Sequence, residues 1–407
     1  MRLLRRRRRD SRIEEATAAH AAGDFVGARE LAAAIVADGD PPLEAVRGLA
    51  ELEYLLGDYD AAEPLLRRVV EEAGRNVDLR VDAEVALALV FLQTNRFAEA
   101  GSLFAGLGQG IELPLWELMK SFGNERPYGV DWGGETETAL PFLQRTPWEL
   151  PCVRIQVGGL EVDARIDTGG ELLTLSRDVA AALRVEPVAT AEGVFAAGAR
   201  GEVGYGRVDS VRVGPLAVAA VPVAIMALER PILGTGFLRQ FLATLDYPGG
   251  RLVLRPRSSR APAGGVEVPF ALAASHLLLA TGSLDGREGL TFILDSGLED
   301  EGGASVAVPR STLELLGIEA PPLTEEVGES GAGSLSLRFG RFPLERVTLG
   351  PLVQHEASGL YGIFPDLWTE LAGISVHGIL SHGFLRRYAW TLDFDAMKMA
   401  FATPDGD

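Results

Sequence analysis

The chain has 407 residues, 47% hydrophobic and 23% charged, with a mean hydropathy of +0.13. It can bury ordinary cores but is too long for one compact unit, so two or three domains are expected. Thirty-eight basic residues against 57 acidic ones leave a net charge of −19, which opposes nucleic acid or an anionic membrane as a partner. The single cysteine, Cys152, can form no internal disulfide, and five scattered histidines build no structural zinc site; no metal and no cofactor is expected. No apolar run reaches the length of a membrane span, and Met1 to Asp10 carries six arginines where a secretion signal needs apolar residues. A soluble, cytoplasmic protein is therefore expected. Only Lys120 and Lys398 stand against 36 arginines, so biased codon usage or a misplaced start explains the basic tail (1–11) better than an arm for an acidic partner.

Residues 12–122 carry alanine and leucine at helical spacing and repeat one phrase three times: Gly23-Asp24-Phe25 with Ala28, Gly57-Asp58-Tyr59 with Ala62, and Asn95-Arg96-Phe97 with Ala100. A small residue closes one helix, an aromatic wedges into the pair and an alanine lets the next helix approach. The phrase resembles the tetratricopeptide repeat, with Asn95 in place of the usual glycine. The resemblance implies either a groove for a protein partner or hairpins that pack on the rest of the chain. Residues 123–149 lose the period and read as a connector.

Glycine then marks a change of structure, with six in the first hundred residues and 34 after residue 150. Short alternating runs imply strands, beginning with a hairpin turning at Gly158-Gly159. Within this part the sequence repeats itself. Ile232 to Leu254 aligns without a gap on Ile379 to Phe401, with nine of 23 positions identical. Gly214-Pro215-Leu216 recurs as Gly350-Pro351-Leu352, and Asp167-Thr168-Gly169 as Asp295-Ser296-Gly297. Residues 150–256 and 264–402 therefore read as two lobes of one fold joined by a linker (257–263). If the lobes pair about a pseudo-twofold axis, Asp167 faces Asp295. Two carboxylates so close share a proton, leaving one as base and one as acid.

These motifs resemble the pepsin and retropepsin aspartic proteases over about 250 residues. The fold implied is multidomain α and β: N-terminal tetratricopeptide-like α-hairpins, then a two-lobed all-β acid-protease fold, monomeric because its lobes form a pseudo-dimer. The activity implied is hydrolysis of a peptide or protein substrate by water held between Asp167 and Asp295, without metal. Thr168 and Ser296 would brace the two loops, and Gly169 and Gly297 would permit the turns and bring backbone N–H groups to the carboxylates. A glycine-tipped hairpin around Gly198 and Gly201 would be a flap, partnered by Glu325 to Leu335, whose glutamates are read as solvated.

Three departures stand out. Ser381 replaces a glycine and would crowd the Asp295 loop. The acidic Leu298 to Gly303 would raise the pKa of the dyad. Pro365 to Leu371 reads as a surface helix in which Trp368 is a packing residue. His377 and His382 do not converge on a metal in strand geometry, and His20, His276 and His355 read as surface or satisfied polar positions. The competing reading is a noncatalytic peptide-binding or scaffold protein that keeps the protease fold.

Overall fold

A computed structural model describes residues 11–103, 114–144, 146, 149–262, 264–371 and 373–402. The arginines of the basic tail before residue 11 lie outside them. Seven helices come first: α1 (Ser11–Ala21), α2 (Phe25–Ala37), α3 (Leu43–Leu55), α4 (Tyr59–Glu72), α5 (Val77–Gln93), α6 (Phe97–Leu103) and α7 (Pro114–Ser121). Asp24 and Asp58 cap α2 and α4 by accepting from Gly27 N and Ala61 N, both at 3.0 Å, which satisfies helix-end amides. The residue before each repeat's cap or helix start is left-handed, at φ 79° for Gly23, 78° for Gly57 and 58° for Asn95. Asparagine tolerates that conformation better than other side chains, which accounts for the one departure from glycine.

The same three turns rest on the β-rich body. A methyl group on Gly57 would lie 2.5 Å from Met397 Cγ, and one on Gly23 would collide with the Thr291 hydroxyl. Asn95 Nδ2 donates to Gln240 Oε1 at 2.7 Å. Apolar side chains complete the join. Phe25, Leu49, Leu52 and Leu55 share a buried cluster with Leu277, Leu279, Ile293 and Ile379, while the α5 and α7 core continues into Leu172, Val203, Ala220 and Ala224. These helix faces are filled by the β-rich part of the chain.

Strands follow in chain order: β1 (Gly129–Asp131), β2 (Thr138–Pro141), β3 (Cys152–Val157), β4 (Leu160–Ile166), β5 (Leu173–Ser176), β6 (Ala189–Val194), β7 (Arg200–Val213), β8 (Leu216–Met226), β9 (Ile232–Leu233), β10 (Phe241–Asp246) and β11 (Arg251–Pro256). The second half supplies β12 (Val266–Pro269), β13 (Ala271–Ala273), β14 (Leu277–Leu284), β15 (Arg287–Leu294), β16 (Val306–Val308), β17 (Thr324–Ser330), β18 (Gly333–Leu349), β19 (Leu352–Tyr361), β20 (Glu370–Leu371), β21 (Ile374–Ser375), β22 (Gly378–Leu380), β23 (Ala389–Asp393) and β24 (Lys398–Ala402). The connector is thus partly strand. β1 pairs with β8 and β2 with β11, but all three residues of β1 are exposed, so no apolar alternation announces it.

Seven strands of each eight-stranded sheet share one wiring, while the eighth differs, β1 pairing with β8 and β13 with β14, the equivalent of β3. β4 runs parallel to β9 as β15 does to β22; β5 is antiparallel to β9 and parallel to β8, as β16 is to β22 and β19. The β6–β7 hairpin matches β17–β18. Both halves contribute strands to a six-stranded sheet, β12-β24-β23-β10-β11-β2, in which repeated strands β10 and β23 pair antiparallel with Thr244 opposite Thr391. Their hydroxyls are 2.8 Å apart, and because these threonines are equivalent in the internal repeat, a local twofold passes between them. The expected surface helix is instead a 3₁₀ turn, Asp366–Thr369, followed by the two-residue strands β20 and β21. Strand pairing takes the residues that a continued helix would need. Among the described residues, no helix is long and apolar enough to cross a membrane.

Candidate active site

Each candidate aspartate follows a strand whose neighbour is parallel, so its turn sits where two strand ends open together. Asp167 N donates to Leu233 O at 3.1 Å, and Asp295 N to Leu380 O at 2.9 Å. Each turn then holds its own carboxylate: Gly169 N donates to Asp167 Oδ1 at 2.7 Å, and Gly297 N to Asp295 Oδ1 at 2.8 Å.

The two turns are tied reciprocally. Thr168 Oγ1 accepts from Ser296 N at 3.0 Å and donates to Leu294 O at 2.9 Å. Ser296 Oγ accepts from Thr168 N at 3.0 Å and donates to Ile166 O at 3.3 Å. Both side chains are fully buried. The brace brings the carboxylates into contact: a methyl on Gly169 would lie 2.8 Å from both Asp295 oxygens, and one on Gly297 would overlap the Asp167 carboxylate. Glycine is required at both positions by this approach.

Burial pushes the Asp167 carboxyl above its usual range, opposed by hydrogen bonds from Asp295 and the Gly169 backbone. Asp295 is pushed up further, by burial first and by the Asp167 charge next. Two touching, partly buried carboxylates cannot easily both ionise, so they hold one proton between them. The acidic segment after Gly297 does not cause this rise. Asp300 is ion-paired with Arg341, and Glu299 Oε2 accepts from Leu150 N at 2.9 Å, so these charges are met locally.

The carboxylates line a cavity of about 770 Å³ that Phe195, Ala196, Gly331, Leu228 and Trp368 also line. Its cover is the pair of hairpins. Gly198 lies at the β6–β7 tip with φ 71°, whereas Gly201 lies inside β7 opposite Gly193, so the tip is 195–199. There Phe195 packs on Gly331 of the β17–β18 tip, and Gly201 has room for no more than hydrogen because Ala332 Cα would be 3.0 Å from a methyl. Ala197 N donates to Ile363 O at 2.7 Å. Glu329 is not simply solvated: it is ion-paired with Arg165 and accepts from Glu229 N. Trp368 faces this cavity as well as the core.

Ser381 does not crowd the second turn. It is buried, donates to Ala304 O and accepts from Gly383 N at 3.1 Å. Its counterpart Gly234 has no such space, since a methyl there would lie 2.5 Å from Gly170 O. Among the described residues no three His, Cys, Asp or Glu side chains gather as a metal site. His377 Nδ1 accepts from Thr291 N at 3.1 Å, and the His382 ring lies 5.4 Å from that of Tyr247.

Two groups near Asp167 escape a motif search. Glu171 accepts from Ser275 Oγ, and Ser275 Oγ lies 2.9 Å from His276 Nδ1. The readable signal is that Glu171 and Glu299 each stand four residues beyond an aspartate of the repeat.

Residues 153–240 match a family described as "gag-polyprotein putative aspartyl protease". That segment contains Asp167 and its turn, and the match supports an aspartic protease fold for the β-rich part. Among solved structures the chain is similar to a retropepsin-like aspartic protease from Rickettsia conorii, at 15% identity over 32% of this chain and 92% of that one, with a TM-score of 0.24. No curated protein matches.

Proposed function

We propose that the protein is an aspartic endopeptidase in which Asp167 and Asp295 act as one unit from two lobes, residues 150–256 and 264–402, of a single chain. The observation that carries this reading is that two partly buried carboxylates on reciprocally braced turns meet, each against the other turn's glycine, in the lining of one cavity. A water between them would lose its proton to the ionised carboxylate while attacking a peptide carbonyl, and the protonated one would donate to the carbonyl oxygen. The hairpin tips would exclude bulk water and offer backbone groups to an extended peptide. In this reading the tetratricopeptide-like hairpins are a bracket spanning both lobes, because their apolar faces are packed on them; recruitment of a protein partner would fall to their outer surface.

The test is cleavage of casein and of a peptide library from about pH 4 to 7.5, with and without pepstatin, by wild type and Asp167→Asn. Cleavage that pepstatin blocks and the substitution abolishes is expected. Peptide binding without turnover, unaffected by Asp167→Asn, would favour a noncatalytic binding protein.

A further inference from the structure

A chain laid across the dyad crosses the local twofold, so the residues on either side of the scissile bond would meet equivalent surfaces of the two lobes. Those surfaces differ. Along the hairpins β7–β8 and β18–β19 the paired residues keep one offset of 136, from Val213–Leu216 against Leu349–Leu352 to Gly204–Ile225 against Gly340–Tyr361. Carried to the cavity end, it makes Gly201, Val203 and Ala224 the counterparts of Leu337, Phe339 and Leu360. All three residues of the second lobe line the cavity, and none of these three in the first lobe does.

The helical region accounts for the difference. Val203 and Ala224 are buried in one apolar cluster with Leu118 and Met119 of α7 and with Phe122, and α7 packs on β6 and β7. Phe195 stands between the two spaces, lining the cavity on one side and packing against the helical cluster on the other. Its ring is seated among glycines of both hairpins: a methyl on Gly193, Gly201 or Gly331 would come within 3.4 Å of it. The tip that carries the ring is pinned to the opposite lobe, where Ala197 N donates to Ile363 O at 2.7 Å.

We infer that Phe195 is a specificity-determining residue: backed by the helices, it closes the first lobe's half of the cleft, so that a bound chain runs on past the dyad in one direction only. The protein would then cut close to one end of its substrate. This rests on the peptidase reading and narrows it from cleavage anywhere along a chain. An extended chain advances about 3.3 Å per residue, so a wall beside the dyad leaves space for about two or three residues on the closed side.

The probe is a library of peptides about 20 residues long, which extended far outreach the cavity. It is presented in four forms: free at both ends, fused to a small folded domain at the amino end, at the carboxyl end, and at both. Mass spectrometry maps the cuts made by wild type and by Phe195→Ala. Affinity selection with Asp167→Asn, alone and combined with Phe195→Ala, measures binding of the same forms. For the wild type, cuts within about three residues of one terminus are expected. Turnover should fall about a hundredfold or more when that terminus is fused, and stay unchanged when the other is. Phe195→Ala should cut the doubly fused form in mid-chain.

Mid-chain cutting of the doubly fused form by the wild type, at the rate of the free peptides, would overturn the inference, as would a folded Phe195→Ala protein with the wild-type pattern. If no form is cut, binding decides. Binding that needs one free terminus, and loses that need when Phe195→Ala is added, would leave the closed half standing and refute the proposed reaction instead. Binding indifferent to both termini, or no binding at all, would overturn the inference.

Discussion

Removing one hydroxyl of the reciprocal brace isolates its contribution. Thr168→Val keeps the shape and one methyl but deletes an oxygen that accepts from Ser296 N and donates to Leu294 O. The residue is fully buried, so no water replaces it, and each stranded polar group costs about 1–3 kcal/mol. The sum is roughly 2–6 kcal/mol, which at about 2–4 °C per kcal/mol for a unit of this size lowers the thermal midpoint by about 4–24 °C. Thr168→Ser keeps the oxygen and should stay within about 2 °C of wild type. Differential scanning calorimetry of the three proteins measures this. Because Thr168 and Ser296 form one reciprocal unit, adding Ser296→Ala to Thr168→Val should cost less than the sum of the two single changes. A Thr168→Val midpoint indistinguishable from that of Thr168→Ser would refute the brace as a stabilising element.

Three further outcomes follow from the same geometry. Gly234→Ala drives a methyl toward the Gly170 and Leu172 carbonyls and should abolish soluble, folded protein, whereas Ser381→Gly should cost no more than about 1 kcal/mol, the scale of a lost cap; expression and thermal melts of both variants compare them. Asn95→Gly keeps the left-handed turn and should cost only the Gln240 hydrogen bond, about 0.5–1.5 kcal/mol, while Asn95→Ala loses that bond and also puts alanine at φ 58°, costing roughly 2–3 kcal/mol by urea melts. The third concerns pH. Burial and the neighbouring Asp167 charge raise the Asp295 pKa in the folded state, so its contribution to stability is complete below the unfolded value of about 3.9 and is lost as pH rises through the folded one. Asp295→Asn should therefore melt higher than wild type at pH 8, with the gap closing toward pH 4; no gap at pH 8 would contradict the raised pKa.

Much of the candidate site is legible because the chain writes it twice. The repeated tripeptides, the apolar pair ahead of each short helix and the Thr244/Thr391 equivalence place the two aspartates about one axis before any coordinates. What lies across from a residue is less legible. Gly23, Gly57 and Asn95 read as turns within helical hairpins, yet the same positions meet Thr291, Met397 and Gln240, contacts that arise only once the helices dock. Ser381 looks like a defect in the second copy until the longer loop before it opens space at Ala304. The acidic loop after Gly297 reads as a charge acting on the dyad, but Arg341 and the Leu150 amide absorb it. His276 carries no motif. His276 Nδ1 lies 2.9 Å from Ser275 Oγ, which donates to Glu171 of the other half, a juxtaposition that arises only on fold closure and that no local pattern encodes.

Cleavage kinetics of Asp167→Asn, Asp295→Asn and the double variant, on a peptide substrate selected with the wild-type protein, address the unit itself. If the two carboxylates work on one water, each single substitution lowers kcat about as far as both together. An Asp295→Asn protein that keeps most of its activity would contradict that and point to first lobes of two chains pairing to form the site.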